Sequence, residues 1–205
     1  MKHAIMGAAV AACVIAGSSA ASEISQGPGA AEDMAWVYGT ICLGAFPAQP
    51  AVQAALAGLH ATPMADTDTK SVLDGDPGRG WRLSTKLADY IVTIEDPPYN
   101  TCAVRRMTRQ GLPTALPYIA SLQNYARAKS LLMGQVASLE ETLSDGADRQ
   151  VLATPLGSDP AKQPTQSSMY VSTDYHGRYT GWGALDADGG DGVEIKMAHQ
   201  ITVAP

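Results

Sequence analysis

Met34, Val37, Tyr38 and Ile41 recur at i, i+3, i+4 and i+7, the spacing that gathers apolar side chains on one face of a helix. Glu32 and Asp33 precede most of that face, where carboxylates favour the positive end of a helix dipole. Pro47 and Pro50 interrupt the pattern. Val52, Ala55, Leu56 and Leu59 then restart it, which predicts a second short helix from Pro50 to Leu59. Residues 60–80 keep no sustained period and read as an irregular loop, with Asp76-Pro77-Gly78 as a turn.

Strand character begins at Trp81. Residues 81–83, 90–95 and 102–108 are short and rich in β-branched or aromatic side chains. The stretch Asp96-Pro97-Pro98-Tyr99-Asn100 cannot itself be strand, so the last two segments are expected to form an antiparallel pair. Tyr118, Leu122, Tyr125, Leu132, Val136, Leu139 and Leu143 then keep helical spacing, interrupted at Lys129. They predict one long helix from Tyr118 to Leu143, closed by Gly146. Unbroken it would run about 39 Å, long for a domain of this size, and Ser130 or Gly134 is where it would break. Residues 150–154, 168–174 and 194–203 complete the strands. The expected fold is a single α+β domain over 22–205. Its largely antiparallel sheet packs against one long helix and two short N-terminal helices.

The first 21 residues stand apart. A short basic start, Met1-Lys2-His3, leads into an uncharged apolar run from Ala4 to Ala16, and small residues follow from Gly17 to Ala21. That is the build of a secretory signal peptide. The run is too short to cross a bilayer, which takes roughly 20 residues. Val10-Ala11-Ala12-Cys13 loosely resembles a lipoprotein cleavage site, but the apolar Val14-Ile15-Ala16 after the cysteine favours ordinary cleavage near residue 21. A periplasmic or secreted protein is the expectation. No later apolar run approaches 18 residues, so the mature chain is not expected to span a membrane.

Export changes how the cysteines read. Cys42 and Cys102 survive cleavage, and in an oxidising compartment a lone pair reads as one disulfide. Closing a loop of about 60 residues would stabilise the fold by about 4 kcal/mol. A redox or metal pair is disfavoured, because neither a C-x-x-C spacing nor a nearby histidine accompanies either residue. The net charge of −6 becomes −7 when Lys2 leaves, which disfavours nucleic acid as a partner, since that binding rests on phosphate neutralisation.

Candidate chemistry is sparse. Asp186, Asp188 and Asp191 suggest a calcium loop, but counting from Asp186 puts Gly190 at position 5 and Met197 at position 12, out of phase with the ligand geometry. The stretch reads better as an acidic hairpin turn, and no metal is expected. Of the histidines, His176 stands two residues after Asp174, on the same face of an extended segment, and His60 lies in the irregular loop. Either would serve a small hydrolase as acid–base. No nucleophile elbow and no phosphate-cradling glycine loop accompanies them, and no cofactor is implied. Arg105, Arg106 and Arg109 crown a basic stretch that would form an anion or partner patch if the strands brought them together. Tyr175, Tyr179 and Trp182, set among glycines, offer broad faces with polar handles for sugar or protein contacts. The reading favoured is a non-catalytic binding or envelope-associated protein whose partner is an envelope protein or a cell-wall component. A hydrolase using His176 with Asp174, or His60, is the alternative.

Overall fold

The computed structural model describes residues 29–108, 114–142, 148–157, 165–175 and 192–201. Four helices and nine strands alternate along these stretches: α1 (Gly29–Tyr38), α2 (Gln49–Gly58), β1 (Thr62–Pro63), α3 (Asp66–Val72), β2 (Gly78–Ser84), β3 (Asp89–Glu95), β4 (Thr101–Thr108), α4 (Leu116–Ala128), β5 (Leu132–Met133), β6 (Ala137–Thr142), β7 (Asp148–Gly157), β8 (Thr165–Tyr175) and β9 (Gly192–Ile201). The strands form one antiparallel sheet in the order β1-β2-β3-β4-β9-β8-β7-β5, and β6 also pairs with β7. The α+β class, the antiparallel β3–β4 pair and the disulfide all stand as read from the sequence.

One face of the sheet carries the main core. Tyr90, Val92, Ile94, Cys102, Val104, Ile195 and Met197 meet Met34, Val37, Tyr38 and Ile41 from α1 and the turn after it, with Tyr118 and Leu122 from α4. Tyr38 closes this layer, donating its hydroxyl to the carbonyl of Ala198 at 3.1 Å and packing its ring 5.9 Å from that of Tyr118. After α1 the chain widens into a π-helical turn, Gly39–Leu43. The wider turn lets three consecutive residues, Ile41, Cys42 and Leu43, all be buried, more than the narrow stripe of a regular helix would allow. Gly44 ends it: a Cβ there would stand 2.9 Å from the Thr40 carbonyl oxygen. Cys42 thus meets Cys102 in the middle of β4, with 5.3 Å between their Cα atoms, inside the usual disulfide range.

The opposite face is covered near β2 by α3, which the sequence hides. Only Thr69 and Val72 of its seven residues are buried, so no apolar period forms over what had read as loop from 60 to 80. Thr69 sits against Gly80, where an added Cβ would lie 3.0 Å from its Oγ1. Val72 packs with Ile91, Met64 and Met107 as a second, smaller cluster.

The long helix is also corrected. It ends at Ala128, and Leu132, Leu139 and their neighbours lie in β5 and β6. Ser130 terminates it in the left-handed region (φ 53°). The Ser130 N–H donates to Arg127 O and the Leu131 N–H to Ala126 O, the paired bonds of a Schellman cap. His60 and Asp74 end α2 and α3 by the same two bonds at φ 57° and 53°. All three caps lack the glycine that normally signals them. A left-handed residue with a Cβ costs about 1–2 kcal/mol, and glycine returns about 0.5–1 kcal/mol of that as unfolded-chain entropy. Ser130→Gly is therefore expected to raise the thermal midpoint by about 1–2 °C. A lowered midpoint in calorimetry would show that the serine side chain makes a contribution that outweighs its backbone conformation.

Candidate functional site

The row of the sheet that contains the disulfide also organises the most developed surface feature. Pairing places Arg79 opposite Ile94, Ile94 opposite Cys102, and Cys102 opposite His199. Where this row meets the end of the helical layer lies a cleft with a volume of about 120 Å³. Phe46, Val52 and Ile94 form its apolar floor. Gln49, Gln53 and Asn100 supply carboxamides at its rim. Arg79 and Asp96 also line it and form an ion pair at 3.6 Å, each side chain over a third exposed.

Local structure explains each position. Pro50 at the start of α2 suits the first helical turn, and Gln49 and Gln53, four residues apart, fall on the same side of that helix. Asn100 takes a left-handed conformation (φ 43°), which asparagine tolerates, and closes the turn between β3 and β4. Its carbonyl accepts the Ile201 N–H at 3.1 Å, tying the turn to β9. Asp96 is held through its own N–H, which donates to Pro77 O at 2.9 Å. The backbone under the cleft is fixed on both sides by ladder bonds.

His199 lies behind the cleft floor. Its ring meets Phe46 edge-on at 6.4 Å and Tyr125 at 5.5 Å. The residue is 1% exposed, and its Nδ1 has no hydrogen-bond partner. Burial penalises the imidazolium and pulls the pKa down from the usual 6.5 to about 4. The same burial raises the pKa of the Tyr125 phenol. Because the folded state resists protonating His199 while the unfolded chain does not, stability is full above pH 6.5. It falls as the pH drops towards 4, by up to about 3 kcal/mol. Comparing urea midpoints of the wild type and His199→Phe between pH 7 and 4 tests this. The variant is expected to lose less stability than the wild type, and parallel losses would rule out His199 as the source.

A second polar group fastens α1 to the sheet. Asp33 Oδ2 accepts the Tyr90 hydroxyl at 2.6 Å and the Thr85 hydroxyl at 2.7 Å. Burial first, and then the bond to Asp33, push the Tyr90 pKa far above the normal phenol value, so it remains a donor at all physiological pH. The group sits against the helical layer and orients α1.

The arginines foreseen as a patch are divided by the pleat. Arg105 and Arg106 are adjacent on β4 and turn to opposite faces, and both are buried, at 5% and 7% exposure. Arg105 donates through Nη1 to Glu194 Oε1 at 3.0 Å on the face opposite the main core. Arg106 stands across from Tyr90's position in the ladder, on the main-core face. The two therefore do not share a surface. His60 is exposed, and its backbone caps α2. Asp174 and Tyr175 lie at the end of β8, where the pairing with β9 shifts register between Ser172 and Tyr175. Arg109, His176, Tyr179, Trp182, Asp186, Asp188 and Asp191 lie outside the described residues.

The cleft itself went unread from the sequence, apart from Arg79. Its signals were punctuation, the prolines of residues 46–50 (FPAQP) and 96–100 (DPPYN), which had been taken only as breaks between elements. Among the described residues, no three His, Cys, Asp or Glu side chains gather as a metal site requires. Among the same residues, no helix is long and apolar enough to cross a membrane. Comparison with models of known protein families, with curated proteins and with solved structures yields no match.

Proposed function

We propose that the chain is an exported protein of the periplasm or envelope that binds its partner without transforming it, and that the cleft beside the disulfide row is where it binds. The cleft carries this reading. It sets an aromatic floor, three carboxamides and an ion pair within one small concavity, on backbone already committed to the ladder. Such groups orient a ligand through many modest hydrogen bonds, the usual design of a specific small-molecule site. Export is supported by the fully buried Cys42–Cys102 bond, which forms and persists in oxidising compartments, and by the N-terminal sequence. A component of the cell wall or its surroundings is the partner such a protein would meet.

Sedimentation with insoluble envelope material tests the reading. The purified oxidised protein is expected to pellet with it, and Arg79→Ala together with Gln53→Ala to reduce the bound fraction at least about fivefold. Pelleting that ignores these substitutions would move the binding surface elsewhere, and no pelleting would remove the envelope partner.

A further inference from the structure

The chemistry of the cleft specifies a class of ligand, an inference that rests on reading the cleft as the binding site. We infer that it takes a neutral saccharide, with one pyranose ring seated over Phe46 and its hydroxyls held by Gln49, Gln53, Asn100 and the Arg79–Asp96 pair.

Three observations point to this class. The first is the match of donors and acceptors. A carboxamide both donates and accepts, and so does a hydroxyl, so three carboxamides at the rim complement a ring of hydroxyls better than they would a carboxylate or phosphate. The Arg79 guanidinium and the Asp96 carboxylate, 3.6 Å apart, present a donor fork beside an acceptor pair, which suits two neighbouring hydroxyls. The second is charge. Glu95 and Asp96 outnumber Arg79 within the lining, and the whole chain carries −6, so an anionic ligand meets net repulsion. The third is shape. Phe46 offers an apolar floor for the C–H face of a sugar ring, and Tyr99, next to Asn100 in the same turn, is 43% exposed at the side of the site. A longer saccharide would continue over that ring.

An extended peptide fits less well. Peptides dock most readily by adding a strand to an open sheet edge. At the cleft the ladder is closed, because Ile94 is paired on one side with Arg79 and on the other with Cys102. At about 120 Å³ the cleft holds part of one ring and leaves the rest in solvent, so binding is expected with Kd on the order of 1 mM.

Amide-detected NMR of the purified oxidised chain tests the inference with three probes: a β-1,4-linked N-acetylglucosamine tetramer, maltotetraose, and a blocked trialanine peptide. At least one saccharide is expected to move the side-chain amide signals of Gln49, Gln53 and Asn100 saturably. The double variant Gln49→Ala/Gln53→Ala is expected to weaken that binding at least about fivefold. Both residues are exposed on α2 and alanine favours helix, so the variant keeps its fold. Failure of both saccharides to move these signals, or binding that survives in the double variant, would overturn the saccharide assignment. Shifts of the same signals by the peptide alone would do so while leaving the cleft as a binding site. If a soluble digest of envelope material also left these signals unmoved, the cleft-binding reading itself would fall.

Discussion

Replacing Cys42 and Cys102 together by alanine is expected to lower the stability of the fold by about 4 kcal/mol, the chain-entropy value for a closed loop of roughly 60 residues. That is a large share of the roughly 5–15 kcal/mol that separates folded from unfolded domains. The bond joins the π-helical turn to the centre of β4, and both cysteines are fully buried, so its loss also frees the turn that carries Phe46 to the cleft. The urea midpoint of the double variant should match that of the reduced wild type. A loss under about 1 kcal/mol would mean that packing alone holds the turn against the sheet.

The Arg105–Glu194 pair carries the second large effect. Its side chains are 6% and 10% exposed, so each charge has given up most of its water. Removing one partner alone leaves a buried charge poorly compensated, which typically costs 3–5 kcal/mol. Glu194→Gln is therefore expected to destabilise by about 3 kcal/mol or more in urea denaturation. The double replacement Arg105→Met/Glu194→Leu, which removes both charges and keeps the volume, is expected to recover most of that loss. If the double variant were no better than the single one, the side chains would be contributing through packing and other contacts more than through their mutual attraction.

Much of this architecture was legible in the sequence for a physical reason. The apolar stripe of Met34, Val37, Tyr38 and Ile41, the β-branched runs of β3 and β4, and the lone cysteine pair are all driven by burial, and burial leaves a periodic trace. Three features were not legible. The helix ending at Ser130 was hidden because a serine occupies a cap that normally shows a glycine, and because the apolar spacing of Leu132 and Leu139 fits a helix as well as a strand. The short helix α3 was hidden because two buried residues make no period. The cleft was hidden because it joins residues up to 54 positions apart, from Phe46 to Asn100, and nothing in local pattern records that they meet. The pairing of Arg105 with Glu194, across 89 positions, failed to show for the same reason. Arginines that looked like a surface patch were instead two buried groups divided by the alternation of one strand.

The central claim is that this is an exported, disulfide-fastened binding protein, and one mass measurement reaches it most directly. The chain is isolated from cells separated into cytoplasmic and extracytoplasmic fractions, unfolded in the presence of an alkylating agent without reductant, and weighed intact. The account expects the protein outside the cytoplasm, shortened to begin near residue 22, with Cys42 and Cys102 unalkylated until a reductant is added. A full-length chain found in the cytoplasm with both thiols alkylated would contradict it.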